Sequence, residues 1–259
     1  MNLAARCNSV TGTAWTDLAG ELDAWAAQGR VARLWWRDDD AVEATPQLET
    51  LIGLADGIPL GLAVIASTAR SNLAGILESA PLVTVLQHGW RHANHGGAGK
   101  KSEFPATRQA KAVVADLAAG RDRLSDLFGA RFLPVLAPPW NRFAPEFDRL
   151  LPEAGLIGLS GLARSRAPLP DGIAGIDVHL DLVEWRGDRS FIGEDAALGG
   201  LVAELRARRL GEEPNAAIGV LTHHLVMDAG GAAFLADLLD LTRSHRAIRW
   251  FGPAALLTE

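Results

Sequence analysis

The stretch VARLWWRDDDA, residues 31–41, decides how the rest of the chain is read. From Val31 to Arg37 it is rich in β-branched and aromatic side chains and predicts a strand. Directly after that come three adjacent carboxylates, Asp38, Asp39 and Asp40. Such groups repel one another unless water or cations neutralise them. A solvated turn or an acid cluster at a helix start meets that condition. So does a strand end pointing into a cleft, where one carboxylate binds a metal ion and its neighbour takes a proton from water. The Trp35–Trp36 pair and the β-rich run ahead of the acids favour the cleft.

Outward from this stretch, short β-branched or Leu-rich runs alternate with amphipathic Ala/Leu-rich stretches, the pattern of an α/β fold with a mainly parallel sheet. Spacing predicts helices at 13–28, 46–54, 71–78, 106–127, 147–153, 196–208 and, last, 231–244. The first carries Trp15, Leu18, Leu22 and Trp25 along one face, and Thr45 is the expected N-cap of the second. Further strands are expected at 60–65, 82–87, 132–136, 156–159, 176–185, 217–222 and 248–251. Asp38–Asp40, His88, Trp140 and His223 each fall just past the end of a predicted strand, and in parallel barrels those ends converge on one mouth. No repeat, low-complexity tract or linker interrupts the chain. One domain over residues 1–259 is expected, with 1–30 a helical extension.

Composition narrows the function. At 259 residues, 48% hydrophobic and 22% charged, the chain suits one large domain with a sizeable core. A net charge of −6 with interspersed signs argues against a nucleic-acid or anionic-membrane surface. The single cysteine, Cys7, excludes an internal disulfide and a Cys-based zinc cluster. Tyrosine is absent, so no phenol serves as a catalytic acid. No apolar run approaches the ~20 residues of a membrane span. The first residues lack an apolar signal core, so a cytoplasmic protein acting on a small-molecule or carbohydrate substrate is expected.

His88 and His92 are four residues apart, which puts both imidazoles on one face if the backbone makes a helical turn there. Two such nitrogens suit a divalent ion; surface or capping histidines would show the same spacing. A strand feeds into the pair and Gly89 relaxes the backbone between them. His95 reads as a loop histidine. At His223–His224 strand alternation lets one imidazole into the mouth, where it can protonate a departing amine. Asp181, His179 and Asp228 lie near other strand ends and could orient a partner by hydrogen bonding.

Taken in order, these motifs resemble those of the polysaccharide deacetylase (NodB-homology) family, carbohydrate esterase family four, over most of the chain from Val31 to His224. Trp36-Arg37-Asp38-Asp39-Asp40 resembles its acid motif, in the register Asp38/Asp39 or, preferred here, Asp39/Asp40. His88-Gly89-Trp90-Arg91-His92 resembles its histidine motif, and Ala137-Pro138-Pro139-Trp140 its arginine motif. Leu221-Thr222-His223 resembles its last motif, and Asp181 with Trp185 loosely matches the fourth. The resemblance implies a distorted (β/α) barrel of about seven strands. It implies a divalent metal on Asp40, His88 and His92, zinc first, with Co²⁺, Ni²⁺ or Mn²⁺ as alternatives. Asp39 becomes the base, His223 the general acid, and Trp90, Pro139 and Trp140 line the cleft. Arg37, Asp38, Arg142, Asp181, His224 and Asp228 stand around them. Ala137 replaces the arginine that steadies the family's base, so Arg37 or Arg142 would have to do so. The implied activity is removal of an acyl group, acetyl in the first instance, from an N-acylated sugar or similar amide. A cyclic amide or ureide hydrolase on the same scaffold, or a non-catalytic sugar- or metal-binding protein, are the alternatives.

Overall fold

A computed structural model describes residues 12–163, 168–211 and 215–257 of the chain; Cys7 lies outside them. The strands are β1 (Ala32–Ala41), β2 (Leu60–Val64), β3 (Val83–Gln87), β4 (Phe132–Leu136), β5 (Gly158–Leu159), β6 (Ala174–Gly175), β7 (Leu180–Asp181), β8 (Ile218–Thr222) and β9 (Ile248–Trp250). All pairings between them are parallel. The ladder runs β6-β5-β4-β3-β2-β1-β8-β7, with β9 beside the start of β1. That makes nine strands where the family pattern implies about seven; three of them are only two residues long.

The helices are α1 (Thr13–Ala27), α2 (Pro46–Leu54), α3 (Ser71–Leu77), α4 (Ala110–Phe128), α5 (Glu194–Leu210), α6 (Ala229–Arg243) and a short α7 (Pro253–Leu256) beyond the last one expected. Thr45 caps α2 by accepting the Leu48 amide at 3.2 Å, a contact worth about 1 kcal/mol in general. Helix α1 contributes to the main core. Its Leu18 and Leu22 are fully buried, and it packs against α5 in the main core. No described helix is long and apolar enough to cross a membrane.

Strand alternation explains why two tryptophans stand side by side in β1. Successive side chains point to opposite faces. Leu34 and Trp36 enter the helix-facing core, whereas Trp35 enters a separate cluster with Ala63, Leu86, Val135, Ile176 and Leu221 from five other parts of the barrel. The second cluster is the barrel interior. Trp35 Nε1 donates across it to the Asp177 carbonyl at 3.0 Å.

The stretch 176–185, expected as one strand, is divided. Only β7 lies within it and pairs with β8 at one end of the ladder, while β6, just before it, pairs with β5 at the other. Residues 176–179 cross between the two ends, and the five steps from Gly175 to Leu180 reach no further than about 18 Å. The sheet must therefore curl until its ends nearly meet. This short crossing closes a distorted barrel.

Candidate metal centre

Strand β1 carries the three aspartates within its last four residues, rather than after its end as the sequence predicts. Its register against β2 shifts between Asp38 and Ala41, and Asp40 has φ +73°. A bulge of this kind re-aims side chains. It breaks the alternation that would send Asp40 to the helix-facing side with Asp38.

The consequence is a convergence of three donors. Asp40 Oδ1 lies 3.1 Å from His88 Nε2 and 3.3 Å from His92 Nε2. These three atoms lie within 4.8 Å of one another, a spacing that could hold one metal ion. The histidines do not sit on a helical turn. They flank an irregular bend, with Gly89 at φ +64° and His92 itself at φ +55°. A side chain at Gly89 is also excluded by space, because a Cβ there would lie 2.8 Å from the Pro139 ring.

The donor set fits a divalent cation. His88 Nδ1 is 2.9 Å from the Ala137 carbonyl, which can only accept, so Nδ1 carries a proton and Nε2 is the nitrogen turned toward Asp40 and open to a cation. Asp40 Oδ1 is buried yet takes no well-formed hydrogen bond. Burial alone would raise the Asp40 carboxyl, but the neighbouring imidazoles hold it well below the ordinary carboxylate range. Burial would likewise lower His88, while the charge of Asp39 and the contact with Asp40 raise it. Both shifts express one demand, for positive charge between carboxylate and rings.

Asp39 faces the barrel interior, as Arg37 does. Arg37 Nη2 donates to Asp39 Oδ2 at 2.9 Å, and Nε lies 2.8 Å from Oδ1. The same guanidinium donates to the Ser160 carbonyl and hydroxyl and to Asn141 Oδ1. Arg142 makes no such contact; its Nη1 donates to the Lys101 carbonyl. His223 enters the cleft, with Nε2 3.9 Å from Asp39 Oδ2 and Nδ1 3.9 Å from Asp181 Oδ1. Burial raises the Asp181 carboxyl, partly offset by His223 and by the Trp185 indole, which donates to it at 2.7 Å. The Trp185 ring stands edge-on to His223 at 4.7 Å.

The remaining residues separate by place. Trp140 packs its ring 4.3 Å from that of His92, and Trp90 packs against the main core. Asp38 and His224 pair with each other at 2.5 Å, on the face opposite Asp39 and His223. Burial would lower His224, but Asp38 raises it. Asp228 is the N-cap of α6, accepting the Gly231 and Phe191 amides. His179 contacts Arg208 and the Gly219 amide, and His95 lies exposed in the loop after β3.

Three residues with a clear part in the geometry escape the sequence reading. Glu103 is buried and accepts the Trp90 and Arg91 amides, pinning the bend between the histidines. Asn141 and Ser160 hold Arg37. One signal stands out among the described residues. Of five non-glycine residues with positive φ, four (Asp40, His92, Trp140 and Asn141) surround this centre. Backbone strain of that sort concentrates at functional sites.

No protein-family model matches the sequence, and no curated protein matches it. Solved structures do. A Mycobacterium smegmatis protein assigned as a polysaccharide deacetylase superposes with TM-score 0.68 at 18% identity, covering 89% of this chain and 90% of that one. A family 4 acetyl xylan esterase from Clostridium thermocellum, in complex with a cobalt ion, gives 0.54 at 14% identity over 87% and 90%. A family 4 pseudoenzyme from Bacillus anthracis gives 0.55 at 12% identity, over 88% of this chain and 66% of that one. The chain therefore has the barrel fold of the polysaccharide deacetylases and family 4 carbohydrate esterases.

Proposed function

We propose that this chain is a metal-dependent hydrolase that removes an acyl group, acetyl first of all, from the nitrogen of an amino sugar or similar amide. The observation that carries the reading is the grouping of Asp40, His88 and His92 beside an Asp39 whose carboxylate is held by Arg37. A divalent ion on those three residues supplies Lewis acidity, polarising an acyl oxygen and making water a better acid. Two imidazoles and one carboxylate suit zinc, with Co²⁺, Ni²⁺ and Mn²⁺ as alternatives. Asp39 takes the proton from the attacking water, and Arg37 fixes the direction in which its carboxylate points. His223, between Asp39 and Asp181, returns a proton to the leaving nitrogen. Trp140 and Trp185 flank the opening and offer apolar faces for a sugar ring.

One observation favours a second reading. A structural neighbour is a pseudoenzyme, and Ala137 stands where the family pattern has its arginine. A non-catalytic binding protein is the form that reading takes. Arg37 weighs against it, because it brings a guanidinium to the same carboxylate from within β1.

The test is hydrolysis of a panel of N-acetylated amino sugars and oligosaccharides by wild type and Asp39→Asn. Acetate release that falls by roughly 10²- to 10⁴-fold in the variant is expected for loss of a general base. A folded, metal-loaded protein that hydrolyses none of them sinks the reading in favour of the binding module. Ammonia or a ring-opened product in place of acetate points to a cyclic amide substrate.

A further inference from the structure

Strand β1 carries Asp38–Asp39 near its end, and His223–His224 follow directly on the last residue of β8. Alternation gives each dipeptide one side chain for the barrel interior and one for the helix-facing layer. The interior pair is Asp39 with His223, 3.9 Å apart. The outer pair is Asp38 with His224, in contact at 2.5 Å and all but sealed from solvent, with side-chain exposures of 0% and 1%.

The outer pair sits where the ladder stops. Asp38 and Thr222 are the last registered partners of β1 and β8. Beyond them β1 enters its bulge, so no backbone ladder holds residue 223 against residue 39. The Asp38 carboxylate takes over. It accepts the His224 amide at 3.0 Å, the His224 Nδ1–H, and the Thr222 hydroxyl at 2.6 Å. That hydroxyl in turn accepts the Trp36 indole at 2.9 Å. A carboxylate oxygen thus receives the amide that a strand carbonyl would otherwise receive. Well-packed apolar residues can replace many buried ion pairs at no loss of stability, so such a pair can serve geometry instead.

We propose that Asp38 and His224 are positioning residues: together they clamp the ends of β1 and β8 in the register that keeps His223 opposite Asp39. The kinetic consequence rests on the hydrolase reading above; the geometric one does not.

The experiment compares His224→Ala with His224→Asn, whose amide nitrogen can occupy the place of Nδ1. Each is measured for metal content, kcat and KM on a substrate that wild type hydrolyses, and for its crystal structure. For His224→Ala we expect a kcat lower by roughly 10- to 100-fold, the usual cost of a misplacement near 1 Å. KM stays within about twofold and metal content matches wild type, because the ligands are untouched. His224→Asn stays within about threefold of wild type, since the donor to Asp38 is kept. In the His224→Ala crystal the His223–Asp39 separation widens by about 1 Å. A metal-loaded His224→Ala with wild-type kcat and an unchanged separation overturns the proposal. If wild type hydrolyses nothing, the hydrolase reading fails, and the separation alone decides the clamp. If His224→Ala does not fold, His224→Gln, which moves the donor toward the Nε2 position, is read by the same measurements.

Discussion

Arg37 and Asp39, two residues apart on β1, meet inside the barrel with Nη2 2.9 Å from Oδ2, both side chains shut away from solvent. The guanidinium also reaches Ser160, beyond the far end of β5 and four strands away along the ladder, so it braces the barrel across its interior.

Arg37→Met leaves a carboxylate buried without its counter-charge. Removing one partner of a buried pair generally costs about 3–5 kcal/mol. Urea unfolding of Arg37→Met should show a loss of that size, and Arg37→Met/Asp39→Asn should recover much of it. Arg37→Lys should not restore activity, because a single ammonium cannot serve Ser160, Asn141 and Asp39 together. Full activity in Arg37→Lys would refute the bracing role.

Metal content is the next expectation. Purified wild type should carry about one transition-metal ion per chain, with His88→Ala and His92→Ala losing it or holding it weakly. Chelation should lower stability, since a ligand present at a hundred times its Kd contributes about 2.7 kcal/mol. Elemental analysis beside thermal unfolding, with and without chelator, checks both. Equal metal content in wild type and both alanine variants would remove the centre.

Glu103 supplies a prediction that the ligands alone do not. Its two oxygens accept the Trp90 and Arg91 amides and so set the bend that aims His88 and His92 at one point. Outer partners of metal ligands usually carry a 10- to 100-fold share of affinity, so Glu103→Ala should weaken metal binding by about that factor. Competition against a coloured chelator reads it. Unchanged affinity would mean that the bend holds without Glu103.

Much of this was legible because strand ends are marked by abrupt changes of residue type. Phe132–Leu136 and Pro46–Leu54 appear within the bounds that spacing predicts. Other features leave no local trace. The division of 176–185 depends on which strands lie beside it, and pairing partners are not written in a segment's own pattern. The His88–His92 spacing fits a helical turn and an irregular bend equally well, and a left-handed His92 selects the bend. Glu103 acts on backbone amides, which side-chain spacing cannot reveal. Asp38 looks like its neighbours in the run; alternation turns it away from Asp39, and only the bulge keeps Asp40 from following Asp38.

A last prediction concerns acid, far from the cleft. Glu21 of α1 is buried and paired with Arg209 of α5 at 2.6 and 2.9 Å, with Arg206 3.5 Å away. Burial alone would raise its carboxyl, but the Arg209 hydrogen bonds and charge, helped by Arg206, bring it below the usual value. A carboxyl depressed in the folded state binds a proton more readily once unfolded. Its contribution is thus fully present above the unfolded value of about 4.3 and disappears as pH falls through the folded one. Glu21→Gln should therefore destabilise at pH 7 and converge on wild type as the pH drops below about 4. Urea midpoints of the two proteins across that range decide it. A gap that stays constant with pH would mean that Glu21 contributes packing between α1 and α5 rather than charge.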